Sequence, residues 1–415
     1  MRWLPLLCLL AVLVPFGAKA GPAEDVAGRA CSALAARVAA VAGDDPVFLR
    51  SYDAGSGEGP NPVPALNAAF TYDNALAVIA LRACGQTEAA RRIGDALLAA
   101  SVADRGGAAG RLRNAYRPGA VHERPVPPMG WWNADAQQWE EDPYQVGSAT
   151  GNLAWAALAL LTLAEATGDS EYTAGAARVA RWAAETCADD RGPAGYTGGI
   201  YGYDDQAQPL GWKSTEHNVD LAAVFAWLTR LQPEAGWQPK AQQARGFVAA
   251  LWDPAQGRFW VGTLPDGVSI NRANTGLDAE LWPLLLADAP TEWQGALAFA
   301  ERNHAVRPGF DFNDDRDGVW WEGTAQAALV YRALGREPEA DRLLKALARR
   351  FSPGGLLWAT DAARVTTGLA LSPSSVTDDF YYFRFPHLGA TAWAALAAQG
   401  WNPFTGTPVA GGPVP

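Results

Sequence analysis

Three carboxylates stand where apolar segments begin. They are Asp73 in Phe70-Thr71-Tyr72-Asp73-Asn74, Glu216 in Ser214-Thr215-Glu216-His217-Asn218, and Glu322 in Trp320-Trp321-Glu322-Gly323-Thr324. Free N–H groups in a first helical turn favour an ionised carboxylate, which suits a base. An apolar wall such as Trp320-Trp321 desolvates a carboxyl and makes it keep its proton, which suits a general acid. Two carboxyls so divided can protonate a leaving oxygen and activate a water or attack directly. Glu216 and Glu322 are the main catalytic candidates and Asp73 is the third. The competing reading of each is an acid that only satisfies a helix dipole.

The stretches around them are rich in rings and hydrogen-bonding groups. Tyr72, Trp131, Trp132, Tyr201, Trp212, Trp320, Trp321 and Tyr381 offer stacking faces, and Asp142, His217, Asp278, Glu280, Asp379 and His387 offer polar ones. A sugar presents apolar CH faces to the first set and hydroxyls to the second, so these are expected to bind substrate. Rings that merely plug the fold are the alternative. No HExxH or paired-histidine motif occurs, and no bound metal is expected. Asn313-Asp314-Asp315-Arg316-Asp317-Gly318 starts like a calcium loop, but the residue at its twelfth position is Thr324 rather than an acid. Calcium is therefore the one cofactor alternative. Phosphate-loop and nucleophile-elbow motifs are absent.

Two kinds of helical segment must position these residues, and they alternate strictly. Tyr72–Ala83, Ala149–Ala166, His217–Leu231, Leu277–Leu286, Thr324–Leu334 and Leu388–Gln399 are apolar on nearly every face, so they need cover all round. Val26–Ala42, Glu88–Ser101, Glu171–Cys187, Pro239–Trp252, Thr291–Asn303 and Pro338–Phe351 are amphipathic. Short turns lead from apolar to amphipathic segments, and long connections lead back. Six inner and six outer helices with all long loops on one face describe an all-α (α/α)6 toroid. Val26–Ala42 would close the ring beside Leu388–Gln399 or Pro338–Phe351. A solenoid, the rival architecture, has more even repeat lengths.

The 415 residues include 29 Arg and only four Lys, with a formal charge of −11. That balance disfavours nucleic acid and anionic membrane as partners. Met1-Arg2, the apolar run Leu4 to Phe16 and the end Ala18-Lys19-Ala20 read as a signal peptide over residues 1–20. The expected location is secreted or periplasmic, with no later stretch able to span a membrane. Residues 21–404 would form one toroid domain, and residues 405–415 a mobile low-complexity tail. Cys31, Cys84 and Cys187 remain after export; three buried apolar thiols are expected, with a Cys31–Cys84 disulfide as the alternative.

The openings FTYDNALAVIAL, STEHNVDLAAVFAWL, GLDAELWPLLL and VWWEGTAQAALVY resemble the six-hairpin glycosidase superfamily. The resemblance extends to about Phe404 and rests on architecture and the style of the helix starts. It implies a poly- or oligosaccharide as partner, bound at the toroid mouth. The expected activity is glycoside hydrolysis by carboxylate acid/base catalysis, with a lean to inversion. A glycan-binding or exopolysaccharide-assembly protein is the first alternative. A polysaccharide lyase is the second, disfavoured because the acidic-aromatic stretches offer few cations for a uronate.

Overall fold

The computed structural model describes residues 21–53, 67–102, 108–122, 130–133, 135–375, 377–378 and 380–409. The proposed leader lies outside them. Six outer helices are α1 (Pro22–Ala39), α3 (Thr87–Ala100), α5 (Ser170–Cys187), α7 (Gln238–Ala250), α9 (Gly295–Asn303) and α11 (Glu337–Leu347). Six inner helices are α2 (Thr71–Ala83), α4 (Thr150–Thr167), α6 (Thr215–Leu231), α8 (Leu277–Leu281), α10 (Trp321–Ala333) and α12 (Leu388–Gln399). Each inner helix packs on the next, and α12 packs on both α10 and α2, so the ring closes. The outer helix α1 lies against α12 and α11, as expected. The fold is an (α/α)6 toroid.

One inner helix is short. After Leu281 the chain tightens into a 3-10 turn, Trp282–Leu285. Pro283 lacks the N–H that an α-helical ladder needs, which accounts for the change. The expected outer helix Thr291–Asn303 likewise opens with a 3-10 turn over Thr291–Gln294. The long connections fold into short antiparallel ribbons, such as Leu357–Trp358 with Pro386–His387 and Arg364–Thr366 with Tyr381–Phe383.

The inner helices begin in one repeated way. The backbone N–H of each first residue donates to a carbonyl in the next connection. Thr71 donates to Asn114, Thr150 to Gly198, Thr215 to Val261, Leu277 to Phe312, Trp321 to Ala359, and Leu388 back to Ser51. The fourth residue then grips the connection before its own helix. Asn74, Asn218, Glu280, Thr324 and Thr391 accept from the backbone N–H groups of Leu49, Tyr196, Phe259, Phe310 and Leu357. First-turn N–H groups and loop amides are thus satisfied together, without water. Held between these anchors, the second residues form a ring at the mouth: Tyr72, Gly151, Glu216, Asp278, Glu322 and Gly389.

Two expectations need correction. Cys31 and Cys84 form a disulfide, so only Cys187 is a free buried thiol among the described cysteines. The first part of the expected tail, residues 405–409, is held in place, because Thr407–Pro408 pairs with Trp401–Asn402, while residues 410–415 lie outside the described residues. Phe404 packs on Trp155 and Trp282, with ring centroids 5.3 and 5.7 Å apart, and Trp393 completes the cluster. This apolar burial ties down Thr405–Val409 and stops the central channel below the mouth.

Candidate active site

A cavity of about 130 Å³ opens at the mouth, above the Trp155 and Trp282 rings. Four carboxyl residues line it: Glu216, Asp220, Asp278 and Glu322. Tyr72, Tyr144, Trp320, Phe312, Phe380 and Tyr382 supply most of the aromatic wall. Among the described residues that line it there is neither Lys nor Arg.

Glu322 is buried in the first turn of α10. The Tyr72 hydroxyl donates to its Oε1 at 2.6 Å, and that hydroxyl in turn accepts from Trp393 Nε1 at 2.8 Å. Its Oε2 lies 3.5 Å from His387 Nδ1. Burial pushes the carboxyl up to about 7, against the pull of His387 and with some help from the Asp73 charge. At neutral pH the group is therefore partly protonated.

His387 stands behind this acid, with Nε2 3.2 Å from Asp73 Oδ1 and its ring stacked on Tyr52 at 4.4 Å. Burial opposes its charge, but Asp73 outweighs that and leaves the imidazole above its ordinary value. Gly389 makes the convergence possible. A Cβ there would come within 2.5 Å of Asp73 Oδ1 and 3.1 Å of Glu322 Oε2.

Across the cavity, Glu216 keeps a side chain about one-quarter exposed, with His217 Nε2 3.3 Å from its Oε1. Burial pulls His217 down to about 4, so the ring is neutral and its Nε2–H faces Glu216. Asp278 lies beside Glu216, where the two carboxyls interact. Burial raises both, and the Glu216 charge lifts Asp278 further, well above the carboxylate range.

The expected site residues divide clearly. Tyr72, Glu216, His217, Asp278, Trp320 and Glu322 share the cavity, and Asp73 and His387 back it. Glu280 does not reach it: this side chain faces Arg258 at 3.5 Å and holds the Phe259 amide. Trp321 is a core ring whose Nε1 donates to Asp361 beneath Arg350. Asp142 caps a one-turn helix, Pro143–Val146, by accepting from Gln145 N. Trp212 packs on the far side of His217, Tyr381 donates to the Asp378 carbonyl, and Tyr201 lies on a ribbon strand, Gly199–Tyr201. None of these six lines the cavity. Asp379 and the side chains of Trp131 and Trp132 lie outside the described residues.

Sequence reasoning missed Asp220, Tyr144, Asn152, Trp155, Trp282 and Tyr382. Asp220 had a signal: it is an acid within an apolar helix, four residues after Glu216 and so on the same face.

No family model and no curated protein matches the sequence. The structure does match solved ones. A glycosidase variant in complex with glucose aligns with a TM-score of 0.59 at 14% identity, over 93% of this chain and 98% of that one. The GH76 α-mannanase of Bacteroides thetaiotaomicron gives 0.55 at 11%, over 91% and 98%. An α-amylase from Clostridium perfringens gives 0.54 at 9%, over 80% and 86%. At these identities the likeness is one of fold, in keeping with the six-hairpin architecture.

Proposed function

We propose that this protein is a glycoside hydrolase acting on a poly- or oligosaccharide, with Glu322 as general acid and Glu216 as general base. One observation carries the reading: Glu216 and Glu322 line one aromatic cavity from two different inner helices, and burial holds the Glu322 carboxyl up to about 7. Glu322 holds a proton near neutrality and can deliver it to a leaving glycosidic oxygen. The carboxylate left behind is stabilised by the Tyr72 hydroxyl and by His387. We assign the proton of the Glu216 and Asp278 pair to Asp278, so that Glu216 activates water at the anomeric carbon. The two acids belong to α6 and α10, with α8 between them, which favours a water-holding gap and hence inversion. The structural likeness to glycosidases supports the same chemistry by analogy.

A lyase reading is weaker, because no described residue lining the cavity is a Lys or Arg that could neutralise a uronate. The Cys31–Cys84 disulfide supports a location outside the cytoplasm. No described helix is long and apolar enough to cross a membrane. The test is reducing-sugar release across a panel of polysaccharides, with absorbance read for unsaturated products and NMR for the anomer first formed. Hydrolysis that survives in both Glu216→Gln and Glu322→Gln would refute the assignment.

A further inference from the structure

Asp220 is left over by the mechanism above. It sits one turn below Glu216 on α6, lines the cavity, and is fully buried. Neither of its carboxyl oxygens has a hydrogen-bond partner of good geometry; the Trp155 indole N–H is the one donor near it, and its pull on the carboxyl is outweighed by burial. An acid in this position without a donor costs stability, and a ligand that donates to it would recover part of that cost. Among the described residues that line the cavity, four carry carboxyls and none carries a permanent positive charge. His217, the one basic ring among them, is neutral. His387, the nearby imidazole, is turned to Asp73 and Glu322 instead.

Neutral hydroxyls can donate to such acids. An ammonium group also donates and, beside Asp220, favours the ionised carboxylate that burial alone opposes. The space below the mouth is closed by Trp155 and Trp282 and is small, which suits a single sugar ring better than a run of them. An N-acetyl group would add bulk and remove the charge.

Building on the hydrolase reading, we infer that the cavity takes a free amino sugar, an unacetylated hexosamine residue whose ammonium group sits against Asp220. The other acids then keep the roles already given, Glu322 and Glu216 at the glycosidic bond and Asp278 beside Glu216. Burial holds Asp220 well above the carboxylate range in the empty cavity, with the charges of Glu216 and Asp278 adding to it. Seating an ammonium group beside it should therefore expel a proton to solvent. The ligand arrives as R–NH3+, Asp220 passes from COOH to COO−, and one proton is released, so charge balances.

Calorimetry with glucosamine, glucose and N-acetylglucosamine, run in two buffers of different ionisation enthalpy, tests this. Glucosamine should bind about tenfold or more tightly than the other two, on the scale of one charge-assisted hydrogen bond. It alone should release a proton. In Asp220→Asn, whose fold is checked by its melting temperature, the preference should collapse towards one and the proton release should vanish. Equal affinities for the three sugars, or a preference that survives in Asp220→Asn, would overturn the inference. Glu322-dependent hydrolysis of a neutral glycan with no amine preference would overturn it and leave the hydrolase reading standing. Absence of both sugar binding and glycan hydrolysis would remove the two together.

Discussion

Tyr72 and Glu322, 250 positions apart, share a hydrogen bond of 2.6 Å in which the phenol donates to the carboxyl. Tyr72 is itself fixed by the Trp393 indole, so this donor cannot easily turn away. One oxygen of the acid is thereby held in place, and the other is left to face His387.

This arrangement sets a pH limit. Glu322 is held at about 7, and a general acid works only while protonated, so kcat/KM should fall as pH rises through that value. The Tyr72 hydrogen bond steadies the charged form. Tyr72→Phe should therefore move the alkaline limb to higher pH, which rate profiles on a hydrolysed glycan will read. An unmoved limb would remove Glu322 from the acid's role.

Glu322→Gln and Glu216→Gln should each lower turnover by about a hundredfold or more, the scale of a lost acid or base. Ligand binding and the circular dichroism of the helices should persist. Retention of turnover in one variant alone would relieve that residue of its role.

Gly389→Ala should push Asp73 and Glu322 apart, because the new methyl would meet both. A loss of about 1–3 kcal/mol in stability is expected for such overpacking. Activity should drop at temperatures where the variant is still folded. Denaturant titration beside initial rates separates the two effects.

Stability should decline from pH 6.5 to 8. Glu280 at about 8, and Glu322 and Asp311 at about 7, hold protons in the folded chain that the unfolded chain has already released. Each favours the folded state at low pH and loses that advantage as pH climbs through its folded value. His217 and His304, both near 4, act in the opposite sense, but only below about 6.5, where the unfolded imidazole gains its proton. Melting temperatures at half-unit pH steps check this, and Glu280→Gln should flatten the slope.

Trp321→Ala should destabilise the protein by about 3–5 kcal/mol, as expected for a large buried ring. Sugar affinity should be unchanged where the variant is folded. Urea unfolding and calorimetry measure the two quantities.

The alternation of helices was legible because an inner helix cannot hide a polar face, and six apolar runs therefore stood out. The residues Glu216 and Glu322 were legible from their place at helix starts. What composition and spacing could not convey was helical phase. Asp278 and Glu280 are two residues apart, about 200° round the helix, so only one of them can face the cavity. Trp320 and Trp321 pose the same problem, and the ring that lines the site is the first. The common second position of the inner helices shows itself only once the anchors at the first and fourth positions are known. The Cys31–Cys84 bond depends on α1 reaching the end of α2, a closeness that the ring alone creates.

The Asp73–His387–Glu322 contacts also have a bearing on how the molecule comes into being. Asp73 belongs to the first inner helix made by the ribosome, Glu322 to the fifth and His387 to the threshold of the last. No nascent chain that ends before His387 contains all three, and contacts this distant in sequence form late because a long loop must close first. The acid's environment is thus assembled only when the final helix docks on the first. A partly folded chain, even one with most of its helices in place, has no tuned Glu322, so the onset of catalysis would serve as a clock for the last step of folding.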